Sequence, residues 1–89
     1  MEKEAVKVAF RADKFGDFKG VVTAVFSGVI DGPRGELMCY AHMGQHSYCH
    51  RDWYTQRTRP ATPEEYRELL TELESVGYEV TTVQRVTWA

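Results

Sequence analysis

Thr62-Pro63-Glu64-Glu65-Tyr66-Arg67-Glu68-Leu69-Leu70-Thr71-Glu72-Leu73-Glu74-Ser75-Val76-Gly77 is the stretch whose reading decides the fold. Thr62 is a good helix N-cap, Pro63 suits the first helical position, and Glu65 stands three residues on to complete a capping box. Tyr66, Leu69, Leu70, Leu73 and Val76 recur at the spacing of one helical face, with charged residues opposite. Gly77 supplies the C-terminal stop.

Working outward, Tyr78 to Val86 reads as a strand that follows the helix. Upstream, Ala5-Val6-Lys7-Val8-Ala9-Phe10-Arg11 alternates. Val6, Val8 and Phe10 point to one side, and Lys7 and Arg11 to the other, as in a half-buried strand. Asp13 to Asp17 reads as a turn, and Phe18 to Phe26 as a second strand rich in β-branched residues, with Gly20 as a weak point. The short connection makes an antiparallel hairpin the simplest pairing. Ser27 to Gly35, with three glycines and a proline, reads as a loop. Glu36 to His42 forms a third strand with Leu37, Cys39 and Ala41 on one side and Met38, Tyr40 and His42 on the other. Gln45 to Pro60 reads as an irregular segment pinned by Tyr48, Trp53 and Tyr54, and an ordered loop of that length is usually functional. The expected order β-β-β-α-β gives an α+β fold, a small antiparallel or mixed sheet with one helix packed across one face.

Eighty-nine residues, 43% hydrophobic and 27% charged, make one globular domain spanning residues 1–89. Such a small core leaves room for homo-oligomer formation to add stability. The net charge of −2 gives no overall pull toward nucleic acid or an anionic membrane. Its distribution is uneven. Residues 1–60 carry nine Lys/Arg against seven Asp/Glu, and residues 61–89 carry two against six. No window approaches a membrane span or a signal peptide, so a cytoplasmic setting with reduced Cys39 and Cys49 is the expectation.

Chemistry-bearing side chains concentrate between Cys39 and Tyr54, which holds both cysteines, all three histidines and one of the two tryptophans. His42, His46, Cys49 and His50 would share a face if that segment were helical, and imidazole with thiolate is a zinc ligand set. Gly44 and the preceding strand pattern oppose a helix, and the spacing matches no common zinc finger. Ser47 or Cys49 beside His46 or His50 could supply a nucleophile and a base, with Gln45 as an oxyanion donor. Only Asp52 is at hand to orient a histidine, and no nucleophile elbow or phosphate-binding glycine loop is present. Histidines that hold a loop in place explain the same residues, so no metal, cofactor or catalytic residue is assigned.

Three motifs carry a resemblance: Tyr40-Ala41-His42-Met43-Gly44-Gln45-His46-Ser47, Arg59-Pro60-Ala61-Thr62-Pro63-Glu64-Glu65-Tyr66 and Leu73-Glu74-Ser75-Val76-Gly77-Tyr78. The chain resembles a family of short, uncharacterised proteins encoded by bacteriophages and mobile elements. That family combines a Tyr-x-His-x-Gly-Gln-His core with a Pro-Ala-Thr-Pro-Glu-Glu-Tyr helix start. Cys39, Cys49 and His50 lie outside those motifs. The resemblance implies a bacterial setting and an accessory role, such as modulation of a host or defence protein, with no established chemistry.

Arg51, Arg57 and Arg59 alternating with Trp53 and Tyr54 could grip a nucleic-acid strand, yet a pI near 5.9 weighs against it. Exposed tyrosine, tryptophan and arginine are also the usual anchors of protein interfaces. The expectation is therefore a small non-enzymatic binding protein whose partner is a host or phage protein, with no membrane. Its candidate binding residues are Tyr40, His42, Gln45, His46, Tyr48, Arg51, Trp53 and Tyr54. The alternative is a His-centred enzyme or metal-binding protein using His42, His46 and His50.

Overall fold

A computed structural model describes residues 3–41 and 45–88. In chain order the elements are β1 (Glu4–Asp13), β2 (Val22–Ile30), β3 (Leu37–Ala41), β4 (Gln45–Cys49), β5 (Thr58–Pro60), α1 (Pro63–Ser75) and β6 (Tyr78–Thr82). Strands β4, β3, β2 and β1 pair in that spatial order, all antiparallel. The far side of β1 is shared. Its C-terminal end pairs antiparallel with β5, and its N-terminal half pairs parallel with β6. The sheet is mixed, α1 covers one face, and the fold class is α+β as expected.

The helix forms as its sequence dictates. Thr62 accepts from the Glu65 backbone amide, and the Glu65 carboxylate reaches back to the Thr62 amide at 2.8 Å. Arg59 reinforces that carboxylate with two hydrogen bonds, at 2.8 and 2.7 Å. Leu69 and Leu73 are buried on the sheet, and Tyr66 stacks on Phe10 with ring centroids 4.3 Å apart. Val76 was expected on the same face, but it lies past the last helical turn and is 53% exposed.

Alternation in the strands sorts side chains to two cores. Val8, Phe10, Ala24, Phe26 and Tyr40 face the helix. Ala9, Val25, Leu37, Cys39 and Cys49 face the other way, where Tyr54, Trp53, Val83, Val86 and Trp88 cover them. This second cover was not expected. The stretch read as a strand to Val86 leaves the sheet after Thr82 and crosses the face opposite α1. It is held to β2 by Gly28 N–H donating to the Thr87 carbonyl (2.7 Å) and Thr87 N–H donating to Ser27 Oγ (2.8 Å).

Other expectations need correcting. The segment from Gln45 to Pro60 is not irregular: it contains β4, a π-type turn over Trp53–Arg57, and β5. The second strand starts at Val22 rather than Phe18. Gly16–Phe18 instead winds into a 3-10 turn, and Gly20 takes φ +86°, a conformation costly for other residues. At its other end β2 runs on to Ile30 through a register irregularity against β3 that follows Val25, with Gly28 at φ +74°. Arg11, expected in solvent, is 9% exposed. It donates to Thr58 Oγ1 (3.0 Å) and to the carbonyls of Tyr54 (3.3 Å) and Thr58 (3.0 Å), with its guanidinium 4.3 Å from the centre of the Tyr54 ring. The buried charge thus satisfies carbonyls that the π-type turn leaves over, which is why the turn can sit against the sheet.

Candidate functional site

The strand pair β3–β4 and the turn after it position most of the candidate residues, and alternation sends them to opposite faces of the sheet. Tyr40 and His46 are direct cross-strand partners on the helix side. Tyr40 is 1% exposed, and its hydroxyl bonds the Glu72 carboxylate of α1. That hydrogen bond, together with burial, pushes its pKa up to about 12. His46 stands edge-on to Tyr40 at 4.8 Å, and its Nε2 lies 3.0 Å from the Tyr78 hydroxyl. Phe26 completes the surround, with Tyr78 meeting it edge-on at 5.1 Å. The histidine thereby ties the sheet edge β4 to the start of β6.

On the opposite side, His50 follows β4. Its Nδ1 accepts from the Asp52 amide at 3.2 Å and lies 3.8 Å from the Asp52 carboxylate. His46 and His50 therefore do not converge on one centre. Among the described residues, no group of three or more His, Cys, Asp or Glu side chains is placed to hold a metal ion. His42 and the side chain of Gln45 lie outside the described residues.

Several of the arginine and aromatic residues read as a gripping surface are engaged by other parts of the protein. Tyr54 is 8% exposed, with Arg11 over its ring and Trp88 edge-on at 5.5 Å. Arg51 in turn lies 5.2 Å from the centre of the Trp88 ring. Tyr40 and Tyr54 are buried and offer a partner little surface. Trp53 is half-buried against the second core, which leaves Tyr48, His46 and Arg51 as the exposed candidates among the described residues.

Cys39 and Cys49 are both free thiols, diagonal to one another across β3 and β4 and hydrogen-bonded together. Cys39 Sγ is also 3.1 Å from Ser47 Oγ. The hydrogen bond from Cys49 is the main cause that lowers the Cys39 pKa to about 7, with burial opposing it and Ser47 assisting. The same bond and burial push the Cys49 thiol up. A cavity of about 360 Å³ opens beside the pair, lined also by Thr23, Tyr48, His50 and Trp53.

The largest exposed apolar side chains lie elsewhere, in the β1–β2 connection. Phe15 is 57% exposed, Phe18 68% and Val21 43%. Backbone bonds lock this tip: Val21 N–H donates to the Phe18 carbonyl (2.9 Å), and Gly20 N–H to the Asp13 carbonyl (2.9 Å). A groove of about 260 Å³ adjoins it, between Gly20, Val21 and Val22 and the Glu65, Glu68 and Leu69 side of α1. Reading Asp13 to Asp17 as a turn and Phe18 onward as a strand overlooked these residues. The available signal was two phenylalanines in a stretch that otherwise consists of glycine, aspartate and lysine.

Comparison with protein-family models, curated proteins and solved structures gives no match for this chain.

Proposed function

We propose that this protein is a small, non-enzymatic accessory protein of the bacteriophage or mobile-element kind, which works by binding a host or phage protein. The observation that carries the reading is the rigid hairpin tip with Phe15, Phe18 and Val21 exposed together. An apolar patch of this kind costs solubility and marks an interaction site when it is kept. Burying each phenylalanine in full would contribute about 1.5–3 kcal/mol, so the exposed fractions seen here would supply part of a binding free energy. Lys14 and Lys19 flank the tip, and Glu65 and Glu68 line the adjoining groove, giving the apolar centre a charged surround. Interfaces combine these two features.

The test is capture from bacterial lysate on immobilised protein, comparing wild type with Phe15→Ser/Phe18→Ser. Both side chains are exposed, so the double variant should melt within a few degrees of wild type while losing the captured protein. Equal capture by both forms, or none by wild type, would overturn the reading.

A further inference from the structure

We infer that Cys39 and Cys49 form a peroxide-reactive dithiol site, in which Cys39 is the attacking thiol and Cys49 the resolving one. The site rests on placement. The two residues stand on neighbouring strands one diagonal step apart, because Leu37 pairs with Cys49 and Cys39 with Ser47, and both point to the face opposite α1. Cys49 hydrogen-bonds Cys39, and Ser47 Oγ lies 3.1 Å from the same sulfur, so a thiolate formed at Cys39 would have two donors waiting. Cys39 is 4% exposed and Cys49 6%, and the adjoining cavity of about 360 Å³ favours a small oxidant over a bulky one. Hydrogen-bond donors at the sulfur lower the Cys39 pKa and so favour its thiolate, while the same bond and burial push the Cys49 thiol up.

The chemistry balances with hydrogen peroxide as the only co-reactant. Cys39 thiolate attacks one peroxide oxygen, the O–O bond breaks, and the departing hydroxide takes a proton to become water, leaving Cys39 as a sulfenic acid. Cys49 then gives up its proton and attacks the Cys39 sulfur. The S–O bond breaks, a second water leaves, and a Cys39–Cys49 disulfide remains. Two thiols are oxidised and one peroxide is reduced to two waters. Diagonal cross-strand positions sit slightly wider than a disulfide spans, so closure needs a local shift of β4 along β3. Strand β4 is the outermost strand at that edge of the sheet, paired on one side only, with β3.

The experiment treats the reduced full chain with hydrogen peroxide at neutral pH and follows free thiols and intact mass. Wild type should lose both thiols together, form an intramolecular disulfide and recover both on reduction. Cys49→Ala should stop at a Cys39 sulfenic acid that dimedone traps. Cys39→Ala should keep its Cys49 thiol at the same dose. Because either variant could unfold, wild type is also compared with itself in urea. The folded chain should react faster, because hydrogen-bond donors at the Cys39 sulfur favour its thiolate and unfolding removes them. Slower oxidation of the folded chain than of the unfolded one, or equal oxidation of folded Cys39→Ala and wild type, would overturn the assignment.

Discussion

Arg11 shows how one side chain fixes a whole segment. Its guanidinium bonds the carbonyls of Tyr54 and Thr58, which frame the π-type turn, and shields the Tyr54 ring. Arg11→Ala removes the guanidinium from the buried Thr58 carbonyl and leaves the Tyr54 carbonyl with the Thr58 hydroxyl alone, at about 1–3 kcal/mol for a group left unpaired. The expected result is a loss of several kcal/mol in urea denaturation. Glu65 makes a smaller, pH-dependent contribution. Hydrogen bonds from Arg59 and from the Thr62 amide lower its pKa from the usual 4.5 to about 2. A carboxylate whose folded pKa is depressed stabilises above its unfolded value, and that contribution is lost as pH falls from about 4.5 toward 2. Glu65→Gln should therefore flatten the stability profile across that window and leave a smaller pH dependence. An unchanged acid limb would show that water screens the pair almost completely, since both groups reach solvent.

At the level of elements, the helix was legible and the segment before it was not. Thr62, Pro63, Glu65 and the Tyr66–Leu73 stripe carry local chemistry that needs no knowledge of the rest of the chain. Thr62→Ala should cost about 1 kcal/mol. Leu73→Ala, which opens a cavity beneath the helix, should cost about 2–5 kcal/mol in the same denaturation assay. Val76→Ala should change little, because that side chain lies outside the buried stripe. Strand β4 escaped notice because His46, Ser47 and Tyr48 lack the apolar alternation of a strand, and pairing with β3 fixes it instead. The three-residue β5 is too short for any period, and its place is set by β1 and by Arg11. The departure of the chain from the sheet after Thr82 is likewise a tertiary effect. Val83, Val86 and Trp88 continue a strand-like composition but are taken up by the second core. Trp88→Ala should accordingly destabilise the fold by about 1–3 kcal/mol, as expected for partial removal of a half-buried aromatic.

Across the whole molecule, the sheet carries a helix on one face and the π-type turn with the C-terminal segment on the other, so both faces of β1 and β2 are occupied. No described helix is long and apolar enough to cross a membrane. The histidine-rich stretch drew attention in the sequence because it gathers rare side chains. Folding divides it between two faces: His46 ties β4 to β6, and His50 turns toward Asp52. Sequence proximity could not reveal that division, since it depends on the register of β3 against β4. The hairpin tip had the opposite fate. Read in the sequence as a turn and the first residue of a strand, it carries two phenylalanines that the 3-10 turn leaves outside. Partner binding at that tip is the central claim, and amide hydrogen exchange on the complex with a captured partner tests it most directly. The account expects added protection over residues 14–21 and the adjoining first turns of α1. Protection confined to residues 45–54, with the hairpin tip unchanged, would contradict it.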